Sequence, residues 1–283
     1  MDDKLLNSIY NTSLSDSEFN RLSSYIQGNY GIKMPPIKKT VLQGRLQKRL
    51  RKLEIKDFKT YVDFVFSKAG ENEIIHMMDV VSTNKTDFYR EPIHFELLQE
   101  EILNEIYKRK GHGKINVWSA GCSSGEEPYT LAIVLNEFKL KNPGFDFQIT
   151  ATDISTQMLQ QGANAVYKEE RIEVIPINIK KKYFLKSKDR KNPKVKIVNE
   201  LRNKVSFQRL NFMDNVYQMK NKFDIIFCRN ALIYFERENQ ENVINKLCNT
   251  LIPNGYFFLG HSESITNMKV PLKSVRPTVF TKI

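Results

Sequence analysis

Residues 115–129 read Ile115-Asn116-Val117-Trp118-Ser119-Ala120-Gly121-Cys122-Ser123-Ser124-Gly125-Glu126-Glu127-Pro128-Tyr129. A short apolar strand enters a turn of small residues, and the turn opens a helix. Glycine has no Cβ and tolerates φ/ψ values closed to other residues, so such an elbow lets backbone approach a ligand closely. The elbow then ends in two carboxylates. A helix N-terminus normally suits phosphate, because its free N–H groups and dipole favour anions. Glu126 and Glu127 would repel a pyrophosphate, and the spacing of Gly121 and Gly125 is neither G-x-G-x-x-G nor G-x-x-x-x-G-K-[ST].

A nucleoside that carries positive charge and no phosphate suits this turn better, and S-adenosylmethionine is such a ligand. Taken alone, the elbow is equally a plain α/β turn with solvated glutamates. Its surroundings add weight. Leu131 to Leu135 and Phe138 continue an apolar helix, Asn142-Pro143-Gly144 is a turn, and Phe147 to Thr152 is a second strand closed by Asp153. An acidic residue at that point of a βαβ unit commonly takes ribose hydroxyls. Phe223-Asp224-Ile225-Ile226-Phe227-Cys228 is near-continuously apolar, as buried parallel strands are. It ends in Arg229-Asn230, at the carboxyl end where open α/β sheets bind ligands. Gly255 to Gly260 reads as a further strand of the same kind. Strands alternating with helices predict a doubly wound α/β sheet.

Four segments together resemble the CheR chemotaxis methyltransferases: the elbow W-S-A-G-C-S-S-G-E-E-P-Y, Thr83 to Glu91 (T-N-K-T-D-F-Y-R-E), Phe227 to Phe235 (F-C-R-N-A-L-I-Y-F) and Gly260-His261-Ser262-Glu263-Ser264. Their order and spacing match that family over nearly the whole chain. The resemblance implies a Rossmann-like class I methyltransferase sheet domain with a small antiparallel β insertion, preceded by a small all-α domain. It also implies methyl transfer from S-adenosylmethionine to glutamate carboxylates of chemoreceptors, with S-adenosylhomocysteine as the second product. The expected division is residues 1–82 and 83–283, with the insertion at about 180–207.

Composition bounds the alternatives. The 283 residues allow one large domain or two ordinary ones. No apolar run approaches the roughly 18 residues of a membrane span, and Met1-Asp2-Asp3-Lys4 starts no signal-peptide pattern. Cys122, Cys228 and Cys248 are widely spaced, which predicts neither a disulfide framework nor a zinc site. His76, His94, His112 and His261 are scattered and read as surface or structural, with no metal expected. A cytoplasmic monomer is expected. The net charge of +12 points to an acidic partner: nucleic acid, membrane surface or protein.

Residues 1 to about 80 carry no strand signal. Ser15-Asp16-Ser17-Glu18 has capping-box spacing. After Pro35-Pro36, residues 39–53 read as an amphipathic helix with Leu42, Leu46, Leu50 and Leu53 on one stripe and Arg45, Lys48, Arg49 and Lys52 on another. No acid falls between Lys38 and Leu53, so the basic stripe is expected to be an exposed docking surface. In the family a positive helix of this domain is thought to meet the acidic methylation region of the receptor. Helices are also expected over 61–65 and 74–81. In some family members the β insertion binds a receptor C-terminal tail peptide as an added strand. Here its turn, Lys186 to Pro193, is Lys-rich and glycine-free, so tail binding and a basic surface hairpin both stay open.

The motifs carry site residues over. Asn84, Thr86 and Arg90 are expected to line the cofactor pocket, with Gly121 at the elbow. Glu127 is expected at the methionine amino group, Asp153 at the ribose, Asn211 with Phe212 at the adenine, and Arg229 with Asn230 at the methionine end. Phe212 replaces the family's Leu. Arg90 and Tyr234 are expected beside the methyl group. A glutamate carboxylate is already ionised at neutral pH, so its methylation needs no general base. Charge is annihilated in the reaction, so a tight cationic clamp on the substrate would stabilise the ground state more than the transition state. Arg90 therefore suits the cofactor carboxylate, and Tyr234 suits neutral steering of the substrate. A nucleic-acid methyltransferase is the rival reading, but amino-directed enzymes typically carry an Asn/Asp-Pro-Pro-Tyr/Phe turn where this chain has Arg229-Asn230-Ala231-Leu232-Ile233-Tyr234. A non-catalytic receptor-binding module is the other rival, and intact Arg90, Asp153, Asn230 and Tyr234 argue against it.

Overall fold

The computed structural model describes residues 12–111 and 113–283. Met1-Asp2-Asp3-Lys4 and His112 lie outside the described residues. The helical unit begins with α1 (Asp16–Tyr30), α2 (Lys39–Leu53), α3 (Phe58–Val65) and α4 (Glu71–Val81). The capping box at the start of α1 is formed: Ser15 N–H donates to Glu18 Oε2 at 2.7 Å, and Glu18 N–H donates to Ser15 Oγ at 3.3 Å. Leu22, Ile26, Leu42, Leu46, Leu50, Tyr61 and Met77 close a core of this unit's own.

The basic stripe of α2 is a correction. Leu42, Leu46 and Leu50 are buried as expected, but so is Arg49. Its Nε and Nη2 donate to Glu73 Oε1 and Oε2 at 2.7 and 2.6 Å, and Tyr61 Oη donates to Glu73 Oε1 at 3.0 Å. Arg45 is half-buried and donates to the carbonyls of Val81 and Ser82. The last carbonyls of a helix have no partner within it, and a guanidinium from a neighbouring helix satisfies them. Of the four expected docking cations Arg49 is thus internal structure and Arg45 is half-buried and bound to carbonyls, while Lys48 and Lys52 stand exposed.

A helical stretch over Ile93–Leu97, a π-helical turn at Leu98–Ile102 and Leu103–Lys110 leads to the sheet unit. Its strands are β1 (Gly113–Ala120), β2 (Phe145–Asp153), β3 (Val166–Lys168), β4 (Phe184–Lys186), β5 (Lys194–Ile197), β6 (Val205–Arg209), β7 (Phe223–Cys228), β8 (Leu251–Leu259), β9 (Leu272–Arg276) and β10 (Val279–Lys282). Among the described residues the central sheet runs β6-β2-β1-β7-β8-β10-β9. The first five strands are parallel, and β10 and β9 add an antiparallel edge. The strand order reverses between β1 and β7, the switch point at which such sheets bind ligands. Helices α5 (Glu126–Lys141), α6 (Thr156–Asn164), α7 (Ile177–Tyr183) and α8 (Arg237–Thr250) complete the wound layers.

The small antiparallel sheet is present in the order β3-β5-β4, with different bounds from those expected. It starts at Val166, whereas residues 205–207 belong to β6 beside β2 in the central sheet. Strands as short as Val166–Lys168 and Phe184–Lys186 show too little alternation to read from sequence.

The two units are bonded along a seam. The Asp79 carboxylate, near the end of α4, accepts from Ser155 Oγ (2.8 Å), Thr156 Oγ1 (2.9 Å) and Gln157 N–H (3.2 Å). It therefore caps α6 from the other unit, where a negative charge is favoured. Gly31, at φ 71°, turns the chain out of α1 against Phe235, so closely that a Cβ there would lie 2.3 Å from the ring.

Candidate active site

A cavity opens at the carboxyl ends of β1, β2, β6 and β7. Tyr30 and Ile32 of the helical unit form part of its wall, so both units enclose it. Neither residue carried a sequence signal for this role. Every residue expected to bind the cofactor lines the cavity: Asn84, Thr86, Arg90, Gly121, Glu127, Asp153, Asn211, Phe212, Arg229 and Asn230. Tyr234 lines it too.

The elbow folds as its glycines require. Gly121 sits at φ 82°, and a Cβ added there would lie 2.8 Å from Ala231 Cβ. Backbone rather than side chain therefore faces the cavity at the end of β1. The two elbow carboxylates separate. Glu126 is buried facing away, held by Arg171 Nη2 at 2.7 Å and Ser124 Oγ at 2.6 Å. Arg171 also binds Asp87 and the Thr86 carbonyl, so it ties the Thr83–Glu91 segment to the elbow. No motif pointed to Arg171. Glu127 alone faces the cavity.

Glu127 Oε1 accepts from Ser119 Oγ at 2.7 Å and Oε2 from Arg229 Nε at 2.8 Å. Arg229 is buried, lies over the Phe95 and Phe227 rings, and also donates to the Arg90 carbonyl at 2.8 Å. Its guanidinium is thus committed to protein groups, and it shapes the cavity wall by holding Glu127. Arg90 differs. Its Nη1 donates to the Lys85 carbonyl at 2.9 Å, and among the described residues no carboxylate pairs with it. It is the wall's unneutralised guanidinium.

Asp153 ends β2 with Oδ2 accepting from Ser123 N–H at 2.8 Å and Oδ1 from Ser155 N–H at 2.9 Å. Burial pushes its pKa up against the backbone hydrogen bonds from Ser155, Ser123 and Ile154. The Asn211 amide is turned to the seam, donating to the Asn29 carbonyl at 2.8 Å and accepting from Met213 N–H at 3.0 Å. Phe212 packs edge-on against Phe235, with the ring centroids 6.2 Å apart.

Tyr89, Glu91, Ser123 and Asn230 all take left-handed backbone, at φ 53°, 58°, 48° and 56°. Such residues cost about 1–3 kcal/mol each and persist where surroundings hold them. Asn230 is held on two sides. Its N–H donates to Glu263 Oε2 at 2.8 Å, and its Nδ2 donates to Glu91 Oε1 at 3.2 Å. Glu263 also accepts from the N–H groups of Gly260 (2.7 Å) and Leu232 (2.9 Å), pinning the turn that carries Tyr234.

Glu91, His94 and His261 bring possible metal-ligand atoms within 4.8 Å of one another. The Arg229 cation already occupies that neighbourhood. Thr278 Oγ1 donates to the Pro277 carbonyl at 2.7 Å, so it accepts from His94 Nε2–H at 2.9 Å. His94 Nδ1 then offers its lone pair to Arg229 Nη1 at 3.1 Å. Burial, then the Arg229 charge, push the His94 pKa down to about 4.

The cavity fits S-adenosylmethionine. Its wall offers acceptors at Glu127 and Asp153 for an amino group and a ribose, an unpaired guanidinium for a carboxylate, and bare backbone at Gly121. Ser82 Oγ, also in the wall, is buried with no hydrogen-bond partner among the described residues, as a polar ligand would leave it beforehand.

Comparison with known proteins agrees with this geometry. The family model described as CheR methyltransferase, SAM binding domain, matches residues 84–281. The one described as CheR methyltransferase, all-alpha domain, matches residues 17–82. A chemotaxis protein methyltransferase of Borreliella burgdorferi is 36% identical, over 96% of this chain and 96% of its own length. That of Salmonella typhimurium is 33% identical over 93% of this chain and 89% of its own. That of Escherichia coli is 33% identical over 91% and 87%.

Proposed function

The chain belongs to the CheR methyltransferase family, and on that premise we propose that it methylates glutamate side chains in the cytoplasmic domains of chemotaxis receptors. The observation that carries the reading is Arg90, a guanidinium without a carboxylate partner among the described residues, in a wall shared with Glu127, Asp153 and Tyr234. When bound, S-adenosylmethionine supplies a methyl group on a sulfonium, which a carboxylate oxygen displaces in line.

The residues position rather than exchange protons. Glu127 takes the amino group of the methionine end, and Arg90 takes its carboxylate. Asp153 takes the ribose, and Phe212 borders the adenine. Asn84, Thr86 and the Gly121 backbone close the pocket around them. Tyr234 steers the incoming carboxylate with a neutral hydrogen bond, which avoids stabilising the ionic ground state. Alignment of this kind is worth roughly 7–11 kcal/mol when the reacting atoms are well placed. Arg229 and Asn230 hold the wall. Lys48 and Lys52 are the exposed cations of α2 left to attract an acidic receptor segment. An edge of the small sheet can take a receptor tail as an added strand. The chain acts in the cytoplasm as a monomer. Among the described residues no helix is long and apolar enough to cross a membrane.

The test is transfer of labelled methyl from S-adenosylmethionine to purified receptor cytoplasmic fragments. Base-labile ester label is expected. Base-stable label, or label on nucleic acid alone, would overturn the reading.

A further inference from the structure

Beside the active-site cavity lies a second cleft. Leu42 and Val81, both buried, form its floor, and Ile32, Met34 and Val41 form its walls. Ile32, Thr83 and Tyr234 line both spaces, so the cleft runs on from the cavity past the Tyr234 ring. Its rim is cationic. Lys38 Nζ stands 5.0 Å from the Tyr234 ring centroid and has no carboxylate partner among the described residues. Arg45, on the same rim, binds only carbonyl and hydroxyl oxygens. The surface around it is apolar: Ile37 is 88% exposed, Val41 52% and Ile233, next to Tyr234, 39%. Exposed aliphatic groups gathered in one place mark a binding surface more often than scattered ones do.

We infer that this cleft receives an aliphatic side chain carried on the same polypeptide segment as the methyl-accepting carboxylate, so that it selects which glutamates are modified. The inference rests on the glutamate-methylation reading above. Three features commit the occupant. The cleft is continuous with the cavity at Tyr234, so whatever fills it is tied to the group at the methyl. Ile32, Met34, Val41, Leu42 and Val81 line it, and its polar side chains are Thr83 and Tyr234, shared with the cavity, and Lys38 and Arg45, so a polar group seated among the apolar residues would enter unsatisfied. Its rim carries uncompensated positive charge, which suits an acidic segment around the aliphatic anchor. A side chain seated there also fixes the direction from which the segment crosses Tyr234, and orientation limits an in-line displacement.

The experiment measures methylation of a purified receptor cytoplasmic fragment by the full chain and by Val41→Asp and Val41→Thr, with cofactor affinity by calorimetry for each. Val41 is half-exposed, so both variants are expected to fold and to bind S-adenosylmethionine as the wild type does. The expected result is a KM for the fragment raised about tenfold by Val41→Asp and about threefold by Val41→Thr, with kcat within twofold and with Val41→Ile restoring the wild-type KM. Replacing single aliphatic residues of the fragment by Asn near the modified glutamate is expected to raise the wild-type KM while leaving Val41→Asp unaffected. A Val41→Thr variant that binds cofactor normally and keeps the wild-type KM overturns the cleft while the methylation reading stands. A wild type that places no base-labile label on the fragment overturns both.

Discussion

The Glu127 carboxylate lies 2.8 Å from Arg229 Nε, and the same guanidinium donates to the Arg90 carbonyl at 2.8 Å. One buried side chain thus fixes the start of α5, the end of β7 and the segment that carries Arg90. Removing one member of a buried pair strands the other charge and costs about 3–5 kcal/mol. Arg229→Met is expected to lower stability by that order and to weaken cofactor binding in whatever fraction folds. Urea denaturation and calorimetry check this, and a loss below about 1 kcal/mol would show that the pair is no keystone.

Arg90 and Tyr234 should separate kinetically. Arg90→Met is expected to weaken S-adenosylmethionine binding about tenfold or more, because a charge-assisted hydrogen bond is worth roughly 1.5–3 kcal/mol. Tyr234→Phe is expected to leave cofactor affinity unchanged and to lower kcat/KM for the receptor fragment. Calorimetry paired with initial rates tells them apart, and equal loss of cofactor binding in both would contradict the assigned roles.

Within α2, two adjacent cations should behave oppositely. Arg49→Ala leaves Glu73 buried and unpaired, so a loss of about 3–5 kcal/mol is expected. Lys48→Ala, on the exposed side, should stay within about 0.5 kcal/mol of wild type. Denaturant midpoints of the two variants decide the point.

His94 links stability to acid. Its folded pKa of about 4 lies below the ordinary value of 6.5. The unfolded chain therefore binds the extra proton first, and stability falls as pH drops from about 6.5 towards 4. The contribution is fully present above that window and amounts to about 3 kcal/mol at most. His94→Gln is expected to flatten that part of the pH profile of the urea midpoint. An unchanged slope between pH 6.5 and 4 would mean that other groups carry it.

Much of the central sheet could be read in advance because β7 and β8 are continuous apolar runs and the elbow of β1 has its small residues in sequence. That these residues gather in one cavity wall follows for the same reason: Gly121, Glu127, Asp153 and Asn230 all sit at strand ends or in the first turn of a helix, where local pattern and position coincide. Arg49 shows where this stops. Spacing placed it on the stripe of Lys48 and Lys52, yet its depth depends on Glu73, which lies on another helix. Arg171 and Ile32 were missed for a related reason, since each matters only through what folding brings beside it. The three-residue strands of the small sheet are too brief for any period to show.

The cap that Asp79 places on α6 has a consequence for the company this protein keeps. Asp79 sets a negative charge on the Gln157 N–H group and the Ser155 and Thr156 hydroxyls at the start of α6, and Glu127 sets another in the first turn of α5. In the cavity wall itself the carboxylates are Glu127 and Asp153. A cell is crowded with adenine nucleotides that share the ribose and base of S-adenosylmethionine but carry phosphates. Those phosphates meet like charge at both places where a helix would otherwise welcome them. A nucleotide phosphate therefore finds neither helix start free to receive it.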